Sequence, residues 1–93
     1  MTDKLAIIKS LIEAEPSKPV VVLVTLLIVL ADGDGLVRIR LNEIAQKMHL
    51  SKDRTFVLTL AARELGYISL VEEKSHQNGN LYRINIGKEN ENG

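Results

Sequence analysis

The side chains of this 93-residue chain that can do chemistry are cations and short polar donors, and they gather in two segments. Residues 36–63 carry Arg38, Arg40, Lys47, Lys52, Arg54 and Arg63 against Glu43 and Asp53; residues 74–88 carry Lys74, Arg83 and Lys88 with no acid. Ser51, Lys52, Asp53, Arg54 and Thr55 follow one another without a break, and Lys74, Ser75, His76, Gln77 and Asn80 form a second cluster. Such groups neutralise and hydrogen-bond anions. The compensating acids lie in residues 1–35, at Glu64, Glu72 and Glu73, and in the C-terminal tail, so a formal net charge of zero conceals two basic stretches. Ordinary surface patterning also produces alternating blocks, so the blocks alone do not assign a role.

Covalent chemistry finds no support. The chain has no cysteine, which removes disulfides, thiolate nucleophiles and Cys-based zinc sites. Its two histidines, His49 and His76, do not make a metal-ligand set. No Ser-His-Asp arrangement, carboxylate pair or glycine-rich phosphate loop stands out. Asp32-Gly33-Asp34-Gly35 invites comparison with a calcium loop but lacks that loop's ligand series, and it reads as a turn. The expectation is a protein that is not an enzyme and holds no cofactor or metal.

These residues need a scaffold, and the apolar pattern supplies one. Length and composition suit one soluble globular domain over residues 1–93. Thr2 or Asp3 can cap a helix over residues 1–15 in which Leu5, Ile8, Leu11 and Ile12 share a face, and Pro16 ends it. After a connector over 16–19, in which Ser17 is placed to cap the next element, comes VVVLVTLLIVLA at residues 20–31. Seven of its first eleven residues are β-branched, which favours a buried strand. Its length and its Ser-Lys-Pro entry favour a helix, which is the expectation adopted, and it is too short to span a bilayer. Residues 36–40 alternate apolar and charged, as a half-buried strand does. The N-terminus lacks the apolar core and cleavage site of a signal peptide, so the expected location is cytoplasmic.

Residues 41–68 (LNEIAQKMHLSKDRTFVLTLAARELGYI) read as a helix, a tight turn and a second helix. Ile44, Ala45 and Met48 form one apolar face, Ser51 can cap the second helix, and Gly66 stops it after Leu65. His49 falls in the turn, where histidine tolerates positive φ, so a turn role is expected rather than a ligand role. Residues 67–73 and 81–86 are strand candidates joined through Asn78-Gly79, a type I′ hairpin signal. On the second strand Tyr82, Ile84 and Ile86 should face one way and Leu81, Arg83 and Asn85 the other. Residues 88–93 read as a flexible polar tail.

Ile44-Ala45, Met48, His49, Leu50, Ser51 and Gly66-Tyr67-Ile68 stand at spacings that resemble the helix-turn-helix of winged-helix DNA-binding proteins, over residues 20–87. The expected fold is therefore α+β, mainly α: a winged helix-turn-helix with an extra N-terminal helix and a C-terminal β-hairpin wing. The resemblance implies that the second helix enters the major groove by its N-terminal residues. Lys52 or Arg54 would then read guanine or neutralise a phosphate, Ser51 and Thr55 would bind phosphate oxygens, and Arg40 is counted with them. Asp53 could accept from cytosine, but a helix-start role explains it better, and Ser51 suits that role too. In the wing, Lys74, Ser75, His76, Gln77 and Asn80 suit backbone or minor-groove contact, although a solvated hairpin tip has the same composition.

One departure adds a partner. The second helix carries Phe56, Val57, Leu58, Leu60, Ala61, Ala62 and Leu65, more apolar residues than one buried stripe holds. Phe56, Val57 and Leu60 are the expected homodimer interface. This combination is similar to the TubR-like centromere-binding proteins of plasmid partition, which implies a filament-forming or regulatory protein partner besides double-stranded DNA. Transcriptional regulators and the DNA-binding modules of replication initiators fit the generic motif as well. The rival class is a winged helix that only docks other proteins.

Overall fold

Helix α1 (Lys4–Ala14) starts where the Asp3 carboxylate accepts from the Ala6 amide at 3.1 Å. The structure, a computed structural model, describes residues 3–73 and 79–86. Only Leu11 of α1 is fully buried, with Ile7 and Ile8 packed against the core. The expected four-residue face is thus corrected: Leu5 and Ile12 lie on the exposed flank, at 81% and 58% exposure. Polar ties hold both ends of the helix. Lys4 Nζ donates to the carbonyls of Val29 and Ala31 at 3.0 and 2.7 Å, and the buried Glu15 carboxylate accepts from the Tyr67 hydroxyl and the Ser17 amide.

The ambiguous apolar run is helix α2 (Lys18–Leu30), entered through Pro19 in its first turn. Burial outweighs its β-branched composition: Val20, Leu23, Val24, Leu27 and Ile28 all enter the core. Each such side chain contributes about 1.5–3 kcal/mol when fully buried. Ser17 occupies the cap position without a side-chain hydrogen bond, and the buried Thr25 hydroxyl has no partner among the described residues.

The turn after α2 is built by Asp32. Its Oδ1 accepts from the amides of Asp34 (2.8 Å) and Leu36 (3.0 Å), and the Leu36 bond is the main reason its carboxyl is held below the ordinary carboxylate range. Strand β1 (Leu36–Ile39), helix α3 (Leu41–Met48), helix α4 (Lys52–Glu64), strand β2 (Ile68–Glu72) and strand β3 (Asn80–Ile84) complete the chain order. His49 takes the expected left-handed conformation, φ 57°, and the Leu50 amide closes back on the Ala45 carbonyl at 3.0 Å. Gly66, at φ 86°, ends the following helix the same way, with the Tyr67 amide on the Ala62 carbonyl.

The three strands form one antiparallel sheet in the order β1-β3-β2. Val37 pairs with Tyr82 and Ile68 with Ile84, so buried side chains from all three strands meet one face, beneath the helices. Tyr82, Ile84 and Ile86 face the core as expected, and Arg83 faces outward. Leu70 pairs with Tyr82 and Glu72 with Leu81, so Val71 is an extra residue that bulges β2. Gly79, at φ 82°, passes so close to β1 that an added Cβ would sit 2.5 Å from the Ile39 carbonyl carbon. Asn78, the other half of the expected hairpin turn, lies outside the described residues. Four helices and one three-stranded antiparallel sheet make a small, mainly helical α+β fold over the described residues.

Candidate nucleic-acid interface

The start of α4 carries the densest group of expected contact residues, and Ser51 organises it. Its Oγ accepts from the Arg54 amide at 3.1 Å, satisfying one of the helix's free donors while its own hydroxyl proton stays available. Lys52 and Arg54 are both exposed and take part in no ion pair among the described residues. Two positions apart on a helix, they project about 160° apart and straddle the end of α4.

Thr55 corrects the expectation. It is fully buried, and its hydroxyl donates to the Ser51 carbonyl at 2.8 Å, so it reaches no phosphate. The sequence places it beside four exposed residues, but its face of α4 turns inward with Leu58, Thr59 and Ala62.

Beside α4, a groove of about 360 Å³ separates it from the start of α3 and the root of the β2–β3 ribbon. Arg40, Lys52 and Arg63 line it with Phe56 and Asn80, and Glu73 is the one acid among the described residues that line it. Lys52, Phe56, Thr59 and Arg63 recur at intervals of four, three and four, one stripe of the helix. Arg63 entered the sequence reading only as a charge; this spacing from Lys52 is the signal that places it in the site.

The remaining cations of the basic segment disperse. Arg38 reaches across the sheet to Glu72 at 2.6 Å and to the Gly79 carbonyl. Arg40, though at the groove, is paired with Glu43 at 3.1 Å. Glu43 also accepts from the Arg40 amide, and that bond is the first cause holding its carboxyl below the usual range. Lys47 borders a separate groove with Leu30, Asp32 and Glu43. Glu43 stands at the twelfth position counted from Asp32, a calcium-loop interval, but the intervening residues 36–39 are strand β1. No cluster of three potential metal ligands occurs among the described residues.

The expected dimer residues divide among faces. Phe56, half exposed, belongs to the groove; Val57, at 57% exposure, points to solvent; Leu60 is partly buried beside Ile68 and Leu70. Lys74, Ser75, His76 and Gln77 lie outside the described residues. No described helix is long and apolar enough to cross a membrane. Comparison with protein families, curated proteins and solved structures finds no match for the chain.

Proposed function

We propose that the protein is a homodimeric winged-helix protein that binds double-stranded DNA at a specific repeated site, as a transcriptional regulator or a plasmid-partition adaptor. The observation that carries this reading is the Ser51-capped end of α4, where Lys52 and Arg54 project to either side without ionic partners among the described residues. An end that enters the major groove can engage base edges or phosphates on both flanks. Further support comes from the chain order α2-β1-α3-α4-β2-β3 and the sheet order β1-β3-β2, which suit a helix-turn-helix followed by a ribbon. Arg63 and Asn80 extend the polar surface from the helix to the ribbon root.

Binding of duplex fragments selected from the source genome, measured over a salt series, tests the reading. Affinity should fall steeply with salt, and each cation removed by Lys52→Ala or Arg54→Ala should flatten the log–log slope by about one. Adding Lys74→Ala should weaken binding further. Unchanged affinity in the triple variant would refute the assignment. The half-exposed Phe56 and Val57 favour a second reading, a protein-docking module, which predicts binding to a protein partner almost indifferent to salt.

A further inference from the structure

The groove between α4 and the root of the ribbon holds more than a passing phosphate uses. Phe56 stands in it half exposed, on a stripe that continues to Arg63 about two turns later. A sugar-phosphate backbone has no flat apolar face to lay on that ring. Tyr82 forms part of the wall and is only 3% exposed. Its hydroxyl accepts from the Asn80 side-chain amide at 3.3 Å, while its own proton finds no acceptor among the described residues. A buried hydroxyl at the wall of a groove, its proton uncommitted, is a fixed donor for an anionic oxygen.

Charge narrows the ligand. Arg40 is already paired with Glu43, so Lys52 and Arg63 are set against Glu73 and leave a surplus of one positive charge among the described lining residues. Neither Lys52 nor Arg63 takes part in an ion pair among the described residues. Direction narrows it further. Helical side chains lean toward the N-terminus, so Arg63 reaches back over Thr59 toward Phe56, whereas Lys52 reaches away from the ring. Arg63 also borders Leu70, the strand partner of Tyr82, so Arg63 and Tyr82 belong to the same end of the groove.

We propose that this groove binds a small aromatic carboxylate, its ring laid on Phe56 and its anionic oxygens held by Arg63 and the Tyr82 hydroxyl. The ring gains an offset stack and the carboxylate a forked, charge-assisted partner. A volume of about 360 Å³ lies near the lower limit of small-molecule clefts, roughly 300–1,000 Å³, which suits one ring or two fused ones. The site goes beyond the DNA reading and does not rest on it.

Amide NMR titration of the full chain with naphthoate, at neutral pH and without DNA, tests the site. The dissociation constant should be about a millimolar or lower, with the largest shifts at Phe56, Thr59, Leu70 and Asn80. Naphthamide, which keeps the rings and loses the charge, should bind about tenfold more weakly; acetate, which keeps the charge and loses the rings, should give no saturable shift. Phe56→Ala and Arg63→Gln alter exposed side chains, and each should weaken naphthoate about tenfold. Tyr82→Phe removes only a hydroxyl and should weaken it about fivefold. Lys47→Gln, which removes a like charge at a separate groove, should leave it unchanged. Circular dichroism checks each fold; were Tyr82→Phe to unfold, Arg63→Gln and the naphthamide comparison decide. Shifts centred on α1 and α2, equal binding of acid and amide, or affinity unmoved by Arg63→Gln would each overturn the proposal. So would oligothymidylate binding the same amides more tightly than naphthoate, the mark of a single-strand site. With duplex absent, failure here is separate from failure of the salt series.

Discussion

Helices α2 and α4 are both thirteen residues long and both carry apolar residues on more than one side, yet they are built to opposite ends. The buried side of α2 is five aliphatic residues, and its polar groups are idle: Ser17 makes no capping bond and the Thr25 hydroxyl is buried without a partner among the described residues. The buried side of α4 is thinner, Thr55, Leu58, Thr59 and Ala62, and its polar groups are all engaged. Ser51 caps it, and Thr55 and Thr59 each donate to the carbonyl one turn back. One helix supplies cohesion by burial. The other holds a fixed conformation by local hydrogen bonding, which leaves its remaining surface free to carry Lys52, Arg54 and Arg63.

Three measurements sharpen or break that contrast, in decreasing size of effect. Leu27→Ala, at a fully buried position of α2, should cost about 3 kcal/mol in denaturant unfolding, whereas Val57→Ala on the exposed side of α4 should change monomer stability by less than ~0.5 kcal/mol. Comparable losses would mean that α4 is as much a part of the core as α2. The threonines should then respond with opposite signs. Thr25→Val removes an unsatisfied hydroxyl and should raise stability by roughly 1 kcal/mol, while Thr59→Val breaks a bond of 2.9 Å and should lower it by about as much. Equal signs would erase the distinction. Finally, Ser51→Ala should destabilise by about 1 kcal/mol, and Ser17→Ala, which removes no side-chain capping bond, should be nearly neutral on the same melting curves.

Features governed by neighbours in the chain were legible before the fold was known. His49 and Gly66 both take the left-handed turns their positions suggested, and Ser51 caps the helix it precedes. These outcomes depend on hydrogen bonds spanning a few residues, which residue type alone largely decides. The alternation of Tyr82, Ile84 and Ile86 was legible because successive side chains of any extended strand point to opposite faces, whichever strands it pairs with.

Features that depended on distant residues were not. Thr55 looked like a phosphate ligand because it stands among the first residues of the second helix, and only the packing of α4 against α2, α3 and β2 decides which side turns inward. Arg38 looked like a free cation until the sheet brought Glu72, 34 positions away, within 2.6 Å. The basic block of residues 36–63 was correct as composition, but α3 and the sheet send Lys47 to another groove and tie Arg38 and Arg40 to acids. Leu5 and Ile12 matched a helical period, yet α1 touches the core along a narrower line than that period allows.

The near-contact at Gly79 has a mechanical meaning for the ribbon. Its backbone lies against that of Ile39 and Arg40, and its carbonyl receives the Arg38 guanidinium. The descending arm of the ribbon is therefore pinned at its foot, where any larger residue would prise β3 from β1. That pin fixes where β3 begins, so the register of all three strands is anchored at one end by a backbone-to-backbone contact that no side chain could take over.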